Sequence, residues 1–216
     1  MLHPLLDGLA SGITYALAAC AGCYAFCVAR ALDAEAHRPA EALFRPLTFV
    51  LMVFGGLWLT RTAIAESGLT VPLGSELAQL VGLVPLFGAL IVWRWFDLGR
   101  RLRALAEDPQ MLRDIGLPPS ETAKRAVMAS IALVFLAALI SPIGVAPEWP
   151  ALAALGATGF CRAWSAAGLA LAMGCVGALM VMAGLAAYGS AASYGLAAIV
   201  ALNLPRAPAG RQLAYG

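Results

Sequence analysis

Charge is what this chain has least of. Only 12% of its 216 residues are Asp, Glu, Lys or Arg and 62% are hydrophobic, where a soluble domain runs to roughly 25% charged and about 45–50% apolar. One soluble core cannot absorb that excess. Apolar runs of about 18 residues or more with few charges read instead as membrane spans. The net charge is +2 and the basic residues are not interleaved with aromatics, which excludes a nucleic-acid partner. Histidine is nearly absent. His3 and His37 are the only two, both in polar flanks and on opposite sides of the membrane in the topology that the charges favour, so they cannot share a metal. Phosphate loops, dinucleotide fingerprints, zincin helices and nucleophile elbows are all missing; the short apolar Gly-Ala-Thr-Gly at 156–159 cannot cradle phosphate. No apolar run carries paired carboxylates or a Lys, which leaves proton-coupled transport and retinal attachment without a residue. Residues 1–9 contain no Lys or Arg, so a signal peptide's basic n-region is missing and the first apolar run reads as a retained span. The five cysteines, at least four of them inside apolar runs, are no secreted disulfide framework.

What is present is a succession of apolar runs at about 9–29, 46–65, 77–96 and 126–145, then, after Pro147-Glu148-Trp149-Pro150, a nearly charge-free region to Pro205 broken by Arg162. Within that region 165–187 is a clear span, 188–204 is at the lower length limit, and 151–160 is short enough to be re-entrant or interfacial. The expected fold is all-α, one polytopic transmembrane helical bundle over 1–216, with five to seven spans. Arg30, Arg38 and Arg45 fall in the first loop. Arg94, Arg100, Arg101, Arg103, Arg113, Lys124 and Arg125 flank or occupy the third, while the second, 66–76, has no Lys or Arg. The positive-inside rule then puts loops 30–45 and 97–124 in the cytoplasm and the N-terminus outside. Arg206 and Arg211 draw the C-terminus inward, which favours five or seven crossings over six. The lipid bilayer is the first expected partner.

The segment 97–124 reads as a small cytoplasmic helical hairpin. Trp93, Trp95 and Phe96 suit an aromatic belt where the third span leaves the bilayer. The i,i+4 pairs Asp97–Arg101 and Arg103–Glu107 predict that this helix continues to about Ala106. Asp108 with Pro109 reads as the start of a short helix, Gly116 as its left-handed end, and Pro119-Ser120-Glu121 as the opening of the next. Over 100–125, Leu105-Ala106, Leu112, Arg113-Asp114-Ile115-Gly116-Leu117 and Ser120-Glu121 resemble the YjiS-like family of small arginine-rich bacterial proteins. There an arginine-rich helix is followed by a similar Asp-Ile-Gly-Leu turn. The resemblance implies a bacterial source, hence an inner membrane, and carries over no functional residue.

Three groups of residues are candidates for chemistry. Cys20, Cys23 and Cys27 share a helical face. Thiolates suit soft metals, and Cys175 is the candidate fourth ligand; alternatively Cys20-Ala-Gly-Cys23 is a redox pair. Against both, Cys packs as a small hydrophobe, and thiols held in hydrocarbon are poor ligands and nucleophiles. Arg61 lies within the second span near its outer end, where it either snorkels to the interface or pairs with Asp7 or an anion. Arg94, Arg100, Arg101 and Arg103 form a basic collar suited to anionic headgroups or a partner's acidic surface. Gly8-x-x-x-Gly12, Gly168-x-x-x-Ala172, Ala170-x-x-x-Gly174 and Gly174-x-x-x-Ala178 are small-residue pairs for close helix contact, within the chain or to another. Pro85 and Pro142 are expected kinks. No cofactor is expected. Three functional classes remain: a subunit, assembly factor or regulator of a membrane complex; a transporter or channel for a small solute or soft metal; and a membrane enzyme, thiol-redox or lipid-modifying.

Overall fold

The computed structural model describes residues 2–35, 44–67, 81–107, 119–141, 146–160 and 162–203. They form eight α-helices and no strand: α1 (Leu2–Glu35), α2 (Phe44–Glu66), α3 (Leu83–Trp95), α4 (Asp97–Glu107), α5 (Pro119–Ile140), α6 (Glu148–Thr158), α7 (Ala163–Met182) and α8 (Gly189–Asn203). A short 3₁₀ turn, Ala186–Tyr188, links the last two. Four helices, α1, α2, α5 and α7, are long and apolar enough to cross a membrane. The predicted Asp108 start and Gly116 end, with Arg113, fall outside the described residues, as do Pro142, His37, Arg38, Arg206 and Arg211.

The architecture follows from α1. Its 34 residues make a rod of about 51 Å at 1.5 Å per residue. Small residues ring it: Ala16, Ala18, Ala19, Cys20, Ala21, Cys23, Ala25, Cys27 and Ala29 are all buried. A helix that is apolar all round belongs inside, and a thin one lets neighbours approach from every side. Accordingly 94% of its apolar window is buried, against 17% for α2 and 39% each for α5 and α7.

The neighbours divide along its length. On the half nearer its C-terminus sit α2, α3, α5 and α6. Arg45 of α2 bonds Asp33 at 3.2 Å and Phe54 faces Gly22, so α2 runs antiparallel. The Ser130 hydroxyl of α5 donates to the Ala21 carbonyl at 3.1 Å, and the Tyr24 hydroxyl to that of Ala89 in α3, also at 3.1 Å. Leu155 of α6 meets Gly22, while Phe160 just beyond stacks on Phe26 with ring centroids 5.2 Å apart. On the other half, α7 lies antiparallel across Gly8 and Gly12. A Cβ on Gly12 would sit 2.9 Å from the Leu171 carbonyl oxygen. A Cβ on Gly174 would collide with the Gly8 carbonyl and with backbone atoms of Gly12. The Gly8, Gly12, Gly174 and Ala178 set is thus used inside the chain. α8 folds back along α7, its Ser193 hydroxyl donating to the Met173 carbonyl at 2.8 Å.

Three local expectations change. The third span does not run on to Ala106: Phe96 is extended (φ −84°, ψ 156°), and α4 folds back over the end of α3. Gly99 permits this, because a Cβ there would collide with the Val92 and Trp93 carbonyls. The Asp97–Arg101 pair is present at 2.6 Å, but on the separate helix α4, whose Leu102 is fully buried. Trp93 is not in an outer belt; it is buried, edge-on to Tyr24 at 5.3 Å, while Trp95 and Phe96 are exposed. Pro85 is the third residue of α3 and so stands at a helix start, where proline costs nothing, rather than at a kink.

Candidate functional site

Cys20, Cys23 and Cys27 are fully buried in the most enclosed part of α1. They share a face but not a site: Cys20 and Cys27 are separated along the axis by about 10.5 Å, far beyond what one ion with sulfur at about 2.3 Å can bridge. Gly174 packs on Gly8 and Gly12, so Cys175 beside it lies about 12 Å along α1 from Cys20. The described residues contain no group of three or more His, Cys, Asp or Glu that could hold a metal ion. None of these four cysteines forms a disulfide. Where they stand, Ala and Gly also stand, and the face serves close packing.

Arg61 neither pairs with Asp7 nor reaches out alone. Its Nη1 donates to Oε1 of Glu148, the first residue of α6, at 2.9 Å, with side chains only 18% and 9% exposed. Taking two charges out of water is costly unless they meet, so this pair ties α6 to α2. The sequence signal was available. Arg61 is the only Lys or Arg between 46 and 93, and Glu148 the only Asp or Glu after Glu121.

The collar residues do different work. Arg94 and Arg100 are exposed. Arg101 is held by Asp97, and Arg103 donates from Nη2 to the Arg94 carbonyl at 3.2 Å, pinning α4 against α3. Together with Arg30, Arg45, Lys124 and Arg125 they mark the end of the bundle where α1 finishes.

Two surface features were not foreseen. The first is a groove of about 370 Å³ between α2 and α5, whose lining includes Ala25, Val53, Gly56, Thr60, Ser130 and Ile131. Beside it α2 presents Gly55 and Gly56 to open space; a Cβ at either would meet nothing within 4 Å. Met52, Trp58 and Leu59 of the same helix stand exposed. The second is a cleft of about 490 Å³ at the opposite end from the collar, between α1, α7, α8 and the start of α6, where Asp7, Ser11, Tyr15, Ser190, Ser193 and Tyr194 converge.

No protein-family model, curated protein or solved structure matches this chain.

Proposed function

We propose that the chain is a multi-pass inner-membrane protein that serves as a non-catalytic subunit, assembly factor or regulator of a membrane complex, docking a partner's transmembrane helix on the outer face of α2. One observation carries the reading: Gly55 and Gly56, adjacent on α2, face open space, with nothing within 4 Å of where a Cβ would stand. A glycine facing lipid contributes no contact, whereas a glycine facing a helix lets two backbones come close. The same device already joins α1 to α7 inside the chain, so its open copy on α2 is the natural seat for a further helix.

The charge distribution supports an N-terminus outside and the collar in the cytoplasm. In this reading α1, α2, α3, α5, α6, α7 and α8 alternate as seven membrane segments with the C-terminus inside, four of them long and apolar enough to cross alone. α6 has 11 residues, about 16 Å, and penetrates rather than crosses. In this orientation Arg94 and Arg100 face anionic headgroups, each contributing about 1 kcal/mol.

The test is photo-crosslinking in intact membranes, with a photoreactive residue at Gly55, or at the exposed Met128 of α5, a helix without glycine, as a control face. A discrete adduct to one polypeptide from Gly55 and none from Met128 is expected. Lipid adducts alone from both positions would overturn the docking role.

A further inference from the structure

The groove between α2 and α5 is apolar along its length and charged at one mouth. Phe49 and Val53 line it from α2, Ile131 and Val134 from α5, and Ala25 and Val28 from α1, and none of its described lining residues is charged. Its two hydroxyls are satisfied by backbone: Thr60 donates to the Gly56 carbonyl at 2.8 Å and Ser130 to that of Ala21 at 3.1 Å. From Phe49 to Thr60 the groove rises about 16 Å, the depth of one leaflet of a hydrocarbon core about 30 Å thick. Spread over that length, about 370 Å³ makes a slot about 5 Å wide, too narrow for a helix about 10–12 Å across with its side chains. One extended hydrocarbon chain fits it.

The two ends differ in charge. α2 begins at Phe44 and α5 at Pro119, both at the collar, so both walls turn the positive ends of their dipoles to that mouth. Arg45 stands on the groove side of α2, four residues before Phe49, and Lys124 on that of α5, three before Val127 and seven before Ile131; helical spacing puts each cation in line with the lining below it. Arg45 directs Nη1 to Asp33 at 3.2 Å yet is half exposed, and a guanidinium has further N–H donors to offer. Lys124 is exposed and takes no part in the ion pairs among the described residues, whereas Asp33 and Glu121 are engaged by Arg45 and Arg125. The far end, at Thr60, has no matching cation to offer, because Arg61 there is held by Glu148 at 2.9 Å.

We infer that the groove holds one acyl chain of an anionic phospholipid of the cytoplasmic leaflet, with the phosphate at Lys124 and Arg45. This lipid site requires the membrane reading above and not the docking role: the chain fills the slot between α2 and α5, and a partner helix lies further round α2, at Gly55.

Native mass spectrometry tests it on the purified full chain, delipidated in detergent, with phosphatidylglycerol or phosphatidylcholine of matched acyl chains as the added probe. One phosphatidylglycerol should be held at least about fivefold more tightly than phosphatidylcholine, and Lys124→Gln should lower its affinity about fivefold, the about 1 kcal/mol of one cation at the membrane surface. Gly56→Leu, at a lining position where a Cβ meets nothing within 4 Å, puts a side chain into the slot and should weaken both lipids alike. Equal retention of the two lipids, or a Lys124→Gln or Gly56→Leu variant that holds phosphatidylglycerol like the parent, overturns the site. In intact membranes a photoreactive residue at Val127 should yield phospholipid adducts, and a polypeptide adduct there would put a partner in the groove and overturn the lipid. Failure of the membrane reading has a separate signature, recovery of the chain in the soluble fraction of cells lysed without detergent, and overturns both.

Discussion

Adding one methyl group at each of two glycines separates a glycine used inside the chain from one held for a partner. In Gly174→Ala the new Cβ meets the Gly8 carbonyl and the backbone of Gly12. Backbone atoms cannot rotate aside, so α1 and α7 must separate, and overpacking of this kind costs about 1–3 kcal/mol. In Gly56→Ala the same Cβ meets nothing within 4 Å. Both variants gain the same helix propensity, about 1 kcal/mol, so the difference between them isolates the steric cost. Gly174→Ala should be less stable than Gly56→Ala by about 1–3 kcal/mol, with Gly56→Ala at or above the parent. Reversible unfolding in mixed micelles by SDS titration, followed by tryptophan fluorescence, measures both. Equal stabilities, or a Gly56→Ala variant less stable than Gly174→Ala, would refute the assignment of the two glycine faces.

Other outcomes follow from the same contacts. Arg61→Met leaves the Glu148 carboxylate buried and unpaired and should cost about 3–5 kcal/mol. Arg61→Met with Glu148→Leu should recover most of that loss, because replacing both charges is often neutral; the same unfolding titration reads both. In the folded protein Cys20, Cys23 and Cys27 should resist maleimide while detergent-unfolded protein labels fully. The triple Ala variant should show the same metal content as the parent by elemental analysis. Gly99→Leu should dislodge α4, seen as faster proteolysis within 97–124 with the rest of the bundle intact. Arg94→Gln with Arg100→Gln should weaken flotation with phosphatidylglycerol vesicles by about 1 kcal/mol per charge at low salt.

The helical layout is largely legible in the sequence because long apolar runs have few alternatives. Runs 9–29 and 46–65 become α1 and α2, and Pro119-Ser120-Glu121 opens α5 at Pro119. The break at Phe96 is hidden. The i,i+4 Asp97–Arg101 pair fits one continuous helix or two, and only the collision at Gly99 decides. Helical spacing puts Cys20, Cys23 and Cys27 on one face, but the rise along the axis, not the face, determines whether three thiols can meet. Glu148 escapes notice as a partner because Arg61 lies 87 residues away in sequence. The cleft is harder still: its floor consists of glycines from two separate regions of the chain, visible as a cavity only once α1 and α7 cross. Gly55-Gly56 looks like any other membrane glycine pair until the neighbours of α2 are known.

Native mass spectrometry of the protein released gently from its own membrane tests the docking role most directly, comparing the parent with Gly56→Leu. A second polypeptide bound to the parent at fixed stoichiometry and lost from Gly56→Leu is expected, with the unfolding curve of Gly56→Leu at or above the parent's. A parent that emerges alone, or a complex that survives the leucine unchanged, would contradict it.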